Sequence, residues 1–184
     1  MVQVLLTNEK FIKSLATIDD NLAGKYLHSA LVEAQEIQLK EILGDELLKA
    51  IKGRIQDKEQ NSVDIPDIYQ ELIDMCQYVL AYKTIASLCV QATYKIANVG
   101  VVTTSDDNVS NLAWGDLVRV KEYYTHKSDE FTKYLQNFLL QNKDQFPELK
   151  DCDCARIKSH LYTAATSGLW LGGVRAYRLG RCCK

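Results

Sequence analysis

No stretch of this 184-residue chain is apolar for long enough to cross a bilayer, so its hydropathy asks for no membrane. The opening MVQVLLTNEKF carries only a short apolar patch before charged groups appear, too little for the apolar part of a secretory signal, and a cytoplasm is the expected compartment. Catalytic signatures are scarce too. His28, His126 and His160 are far apart and give no H-x-x-x-H spacing, so each reads as a lone surface imidazole. The glycines form neither G-x-G-x-x-G nor G-x-x-x-x-G-K-[ST], which leaves no spelled-out phosphate cradle, and no serine sits in a G-x-S-x-G elbow. The carboxylate pairs Asp19–Asp20 and Asp106–Asp107 stand beside turn-type residues and read as solvated caps rather than acid/base pairs. The expectation is a protein without catalytic residues, cofactor or metal.

Cysteine gives the one constellation with chemical content. Cys152, Cys154, His160, Cys182 and Cys183 are ligand types zinc prefers, but C-x-C and adjacent C-C are strained ways to fill two corners of a tetrahedron. Free thiols are the expected state in a reducing compartment. Cys76 and Cys89 lie among Ile73, Val79, Leu80 and Leu88 and read as small core hydrophobes.

What is present describes one ordinary globular core: 47% hydrophobic and 25% charged residues. Charge is uneven. Residues 151–184 hold Arg156, Lys158, Arg175, Arg178, Arg181 and Lys184 against Asp151 and Asp153, a net of +4, so the total of −2 leaves −6 on residues 1–150. A basic end on an acidic body fits a solvated tail, an acidic partner surface or nucleic acid.

Periodicity predicts a mainly α protein, a helical bundle with long helices. A short helix follows Thr7 as N-cap, bringing Phe11, Ile12 and Leu15 together. A second runs from about Asn21 to Leu43, with Leu27, Ala30, Leu31, Ala34 and Ile37 as its stripe, Glu36 and Lys40 as an i,i+4 pair, and Gly44 as stop. Asp45 caps a third carrying Leu47, Leu48, Ile51 and Ile55, followed by a polar loop DKEQNSVD. Pro66 opens a fourth that lasts to about Ala97. Its Tyr69, Leu72, Cys76 and Val79 form one stripe, while Leu80, Ile85, Leu88, Cys89 and Val90 spread over other faces, so either the monomer or its neighbours must cover several sides. A fifth spans about Leu117–Gln141 with Leu117, Val120, Tyr124, Phe131, Leu135 and Phe138 on its face.

Between the last two helices lies KIANVGVVTTSDDNVSNLAWGD, read as a β-hairpin-like excursion near residues 98–110. The last part, LYTAATSGLWLGGVRAYRLG, is β-branched, aromatic and glycine-containing, and reads as an extended C-terminal tail. The expected organisation is a helical domain, 1–150, with a protruding segment, 98–112, and a Cys-rich basic extension, 151–184. Partner contacts are expected from Val99, Gly100, Val101 and Val102 on the excursion and from Leu169, Trp170, Leu171, Arg175 and Arg178 on the tail. The alternative for each group is packing on its own bundle.

Three segments, EAQEIQLKEILGDELLKAI (33–51), KIANVGVVTTSDD (95–107) and YLQNFLLQNKDQFPEL (134–149), together resemble head-tail connector proteins of tailed phages, nearest to neck-ring or head-completion proteins of Bacteroidetes-type phages and prophages. The likeness covers residues 5–150. It implies a helical adaptor subunit, about twelve to a closed ring, set in the virion neck below the portal, extending the DNA channel and attaching the tail. The implied partners are copies of itself, the portal protein, adjacent neck or tail rings and the genomic DNA in the lumen, with assembly in the host bacterial cytoplasm. It also implies that residues 99–108 leave the bundle and that residues 168–181 dock on a neighbour. Two other classes stay open: a DNA-binding packaging factor of the small-terminase kind using the basic tail, and a zinc- or thiol-dependent enzyme requiring the tail cysteines to converge.

Overall fold

The computed structural model describes residues 4–16, 18, 22, 24–97, 100–103, 113–150, 154 and 157, with the backbone alone for the two strands. The protein is mainly helical. In chain order the elements are α1 (Glu9–Leu15), α2 (Gly24–Glu33), a π-helical turn (Ala34–Leu39), α3 (Lys40–Leu43), α4 (Asp45–Asn61), α5 (Asp67–Gln91), β1 (Tyr94–Ala97), β2 (Gly100–Thr103), α6 (Trp114–Gln141) and a 3-10 turn (Lys143–Gln145).

Local chemistry sets most of the boundaries. Asn8, one residue after the expected cap, accepts the Phe11 N–H at 2.9 Å and starts α1. Gly44 separates α3 from α4 with φ of 85°, a conformation that costs glycine nothing, and Asp45 and Glu46 then place negative charge in the first turn of α4. That helix continues through Asp57–Asn61, where a polar loop is expected, and ends at Ser62 with φ of 53°. The apolar stripe stops at Ile55, but a fully solvated polar turn can extend a helix already nucleated.

The long second helix is interrupted, and the interruption changes what is buried. From Leu27, Ala30, Leu31 and Ala34 the inward register passes to Gln35, Leu39 and Leu43, while Ile37, placed in the core stripe by its helical spacing, is 63% exposed. A π-turn adds one residue to the helical repeat, so the step from Ala34 to the next buried leucine is five residues instead of four. The same rotation redirects Glu36. Its carboxylate pairs with Lys52 of α4, and Lys40 pairs with Asp45 at 2.9 Å, in place of the expected Glu36–Lys40 pair.

Helix α5 is the axis of the bundle. Twelve of its residues are buried, among them Leu72, Cys76, Val79, Leu80, Thr84 and Ile85. It packs most extensively on α6, then on α2, with the π-turn and α1 adding further cover. The several apolar faces read from the sequence are thus covered largely by the chain itself. Tyr69 meets Phe146 just beyond the C-terminal end of α6, Ser128 Oγ donates to the Val79 carbonyl at 3.3 Å, and Val90 shares a groove with Trp114, so α5 and α6 run antiparallel. At 1.5 Å per residue these helices are about 37 and 42 Å long.

Helix α5 ends at Gln91, one and a half turns before the expected Ala97, because residues 94–97 pair antiparallel with 100–103: Tyr94 opposite Thr103, Lys95 opposite Val102, Ile96 opposite Val101 and Ala97 opposite Gly100. The pairing thus begins upstream of the expected 98–110 window; residues 104–112 are outside the described residues. The core also runs beyond residue 150, since Cys154 and Ile157 are 5% and 1% exposed and belong to the same cluster as Leu135 and Leu139.

Candidate partner-binding surface

Along the α5/α6 seam the side chains form a continuous aromatic ladder. Tyr78 stacks on Phe131 (centroids 5.0 Å, 8° between planes), Phe131 on Tyr82 (5.5 Å) and Tyr82 on Tyr124 (6.5 Å), with Phe11 of α1 edge-on to Tyr78 and Tyr123 edge-on to Tyr124. The spacing is mechanical: 78 and 82 are one turn apart on α5, and 124 and 131 two turns apart on α6. Lys127 lies 4.7 Å from the Tyr123 centroid and 5.5 Å from that of Tyr82, and its hydrogen bond with Tyr123 holds the ammonium above its ordinary pKa.

The outer rungs of this ladder face solvent. Tyr123 is 55% and Tyr134 61% exposed, and on the same helix Trp114 is 61% exposed. Val120, expected in the core stripe of this helix, is 37% exposed. Trp114, Leu117 and Val118 line, with Val90, a mostly apolar groove of about 380 Å³ whose rim carries Lys121, Glu122 and His126. Exposed tyrosine and tryptophan beside a basic group is the composition of protein contact surfaces, where a large rigid side chain gives area at small entropic cost.

Of the partner residues expected from the sequence, Gly100, Val101 and Val102 form β2 opposite Ala97, Ile96 and Lys95. Val99, Leu169, Trp170, Leu171, Arg175 and Arg178 lie outside the described residues, as do Asp19, Asp20, Asp106 and Asp107. Of the five potential zinc ligands, Cys154 alone is described; it is buried. Among the described residues no group of three His, Cys, Asp or Glu could hold a metal ion. Burial raises the pKa of Cys76 and of Cys89, which makes both poor nucleophiles. His28 and His126 are exposed. Among the described residues no helix is long and apolar enough to cross a membrane.

Two polar clusters escape the sequence reading. In the first, Gln35, wholly buried on the π-turn, accepts the Leu6 N–H at 2.9 Å and donates to the Val4 carbonyl at 2.9 Å, while Gln77 donates to the Leu6 carbonyl at 3.0 Å. Two side-chain amides thus do for residues 4–6 what a neighbouring strand would do, and they strap the start of the chain to the bundle. Nothing in the sequence singles it out, since EAQEIQL carries four polar residues, two of them glutamine. In the second, Glu148 accepts the Tyr69 hydroxyl at 2.6 Å and pairs with Arg54 at 3.3 Å, and the Arg54 guanidinium lies 3.9 Å over the Tyr69 ring.

Burial would raise the Glu148 pKa, but the bonds from Tyr69 and Arg54 outweigh it and hold the carboxyl below its ordinary value of 4.5. A depressed carboxyl stabilises the fold above the unfolded-state pKa and loses that contribution as pH falls through the folded-state one. Glu148→Gln is therefore expected to cost about 1–2 kcal/mol at neutral pH. In urea titrations at several pH values, that difference should shrink as pH drops from about 5 toward 3; a gap independent of pH would remove the carboxylate from the account.

The described residues form a helical bundle in which α5 and α6 run antiparallel, with two short antiparallel strands falling between them in the sequence. Residues 39–159, more than half of the chain, match the Family of unknown function (DUF6712), and the chain belongs to that family. No curated protein and no solved structure matches it.

Proposed function

We propose that this chain is a structural subunit of a tailed-phage head-tail connector, one of about twelve copies in a closed ring below the portal, which extends the DNA channel and attaches the tail. The reading begins from the resemblance of residues 5–150 to such connectors. The observation that carries it furthest is the pair Tyr123 and Tyr134, eleven residues apart on one face of α6 and both more than half exposed. Large aromatic side chains left largely in water on one helix face are expected where another protein surface covers them.

In this reading the protein is not an enzyme, and its work is contact. The α6 face meets a sibling subunit, the hairpin carrying Gly100, Val101 and Val102 reaches out of the bundle, and the basic tail with Leu169, Trp170, Leu171, Arg175 and Arg178 binds a neighbouring copy, the portal or an adjacent neck or tail ring. Its place is the neck of the virion, after assembly in the host bacterial cytoplasm. The competing reading, a small-terminase-like DNA-binding factor, draws on the +4 tail.

Co-purification with a tailed-phage portal protein separates the two. A connector is expected to bind the portal at physiological salt without DNA. A packaging factor would ignore the portal, bind DNA with an affinity that falls steeply with salt, and lose that affinity when residues 151–184 are removed.

A further inference from the structure

On one flank of α6, Val120, Tyr123, Lys127, Glu130, Tyr134 and Asn137 follow one another at steps of three, four, three, four and three residues, the spacing of a helix–helix seam. All six reach solvent. Tyr123 is 55%, Tyr134 61% and Val120 37% exposed, Asn137 is exposed, and Lys127 and Glu130 are half-buried. The buried stripe of the same helix, with Leu117, Ser128 and Leu135, lies about a third of a turn away, so this seam is not the one that α5 occupies.

The middle of this seam is self-complementary. It runs Tyr, Lys, Glu, Tyr, with a step of four residues on either side of the two charges. When a second α6 is laid end for end about the midpoint between Lys127 and Glu130, Tyr123 of each copy meets Tyr134 of the other, and Lys127 of each meets Glu130 of the other. Laid parallel about a two-fold axis, the same helices set Lys127 against Lys127 and Glu130 against Glu130, which repel. Charge thus selects the antiparallel register. Both charges are available for it. Glu130 gives Oε1 to Lys133 at 2.7 Å, an exposed pair of little worth, and its Oε2 has no partner among the described residues. Lys127 rests against the Tyr123 and Tyr82 rings and has no carboxylate partner among the described residues.

We propose that the free chain pairs with a second copy through α6, antiparallel and two-fold, with Tyr123 on Tyr134 and Lys127 on Glu130 at each end of the contact. The pairing rests on the reading of the α6 face as a contact between copies and adds the partner surface and the register. A two-fold contact is complete with two copies, whereas subunits around a ring meet head to tail. The pair is therefore a resting form, which keeps the face covered until ring contacts replace it.

The test uses full-length protein, without portal, carrying a photo-crosslinking amino acid at exposed Asn137. Equal amounts of this protein and an unmodified, isotope-labelled chain are mixed, irradiated and mapped by mass spectrometry. The antiparallel register joins position 137 of one copy to the surroundings of Val120 of the other, whereas a parallel one joins it to Asn137. In sedimentation equilibrium, Lys127→Glu and Glu130→Lys should each lower the dimer constant by about tenfold or more, and the two together in one chain should restore it. Circular dichroism checks that each variant is folded. Crosslinks confined to one chain, crosslinks between copies that avoid the surroundings of Val120, or a dimer constant unmoved by either charge reversal would each overturn the pairing. Portal binding by the same wild-type protein reports on the connector reading separately: bound portal without the 137-to-120 product sinks the pairing alone, and that product in a protein that ignores the portal upholds it.

Discussion

Gln35→Ala is expected to destabilise the protein by about 3 kcal/mol, in urea or thermal unfolding, although the residue carries no charge and touches no catalytic group. Its amide closes two main-chain bonds, to the Leu6 N–H and the Val4 carbonyl, and the side chain has no exposure to water. Removing it leaves the buried Leu6 N–H and the part-buried Val4 carbonyl unpaired, about 1–3 kcal/mol each, and opens a void where a wholly buried side chain stood. Hydrogen exchange should show the amide of Leu6 losing protection first, since Gln77 alone then holds the strap. A loss of under about 1 kcal/mol with Leu6 still protected would mean that packing of Leu6 and Ile12, rather than the amide, keeps the strap in place.

The second large effect concerns association. Tyr123→Glu combined with Tyr134→Glu should change the stability of the isolated chain by no more than about 1 kcal/mol, because both side chains are more than half exposed and each touches one aromatic neighbour, Tyr124 or Phe131. Self-association and portal binding, in contrast, should fall by a factor of 100 or more, the scale on which two buried interface tyrosines matter. Analytical ultracentrifugation of wild type and double variant measures the contrast directly. Equal association constants would leave the exposed row without the role given to it here.

Much of this bundle is legible in its sequence, and what is not has identifiable causes. The order and type of the helices follow from apolar periodicity and from Gly44, Asp45 and Pro66, whose backbone preferences are strong and local. The phase of the second helix is not legible, because a π-turn leaves no residue signature: Ile37 continues a perfect stripe in the sequence and still ends 63% exposed, and buried Gln35 takes the inward position. The end of α5 is misplaced for a related reason. YKIA satisfies helical and strand periods alike, and pairing with GVVT decides between them. The reading of α5 as apolar on several sides is correct, and of its two alternatives, cover by the monomer or by neighbours, the monomer supplies most of it through α2, the π-turn, α1 and α6. On α6, Val120 fits the core stripe by spacing and is nevertheless 37% exposed, because spacing alone does not fix how wide a face the neighbouring helices cover.

The central claim is that this polypeptide works as one of many identical copies. Mass photometry of the full-length chain, alone and with the portal protein, tests it most directly. With a chain mass of 20.9 kDa, the account predicts for a ring of about twelve either a discrete species near 250 kDa or a portal species heavier by about 250 kDa. A single population at the mass of one chain under both conditions, with the portal unshifted, would contradict it.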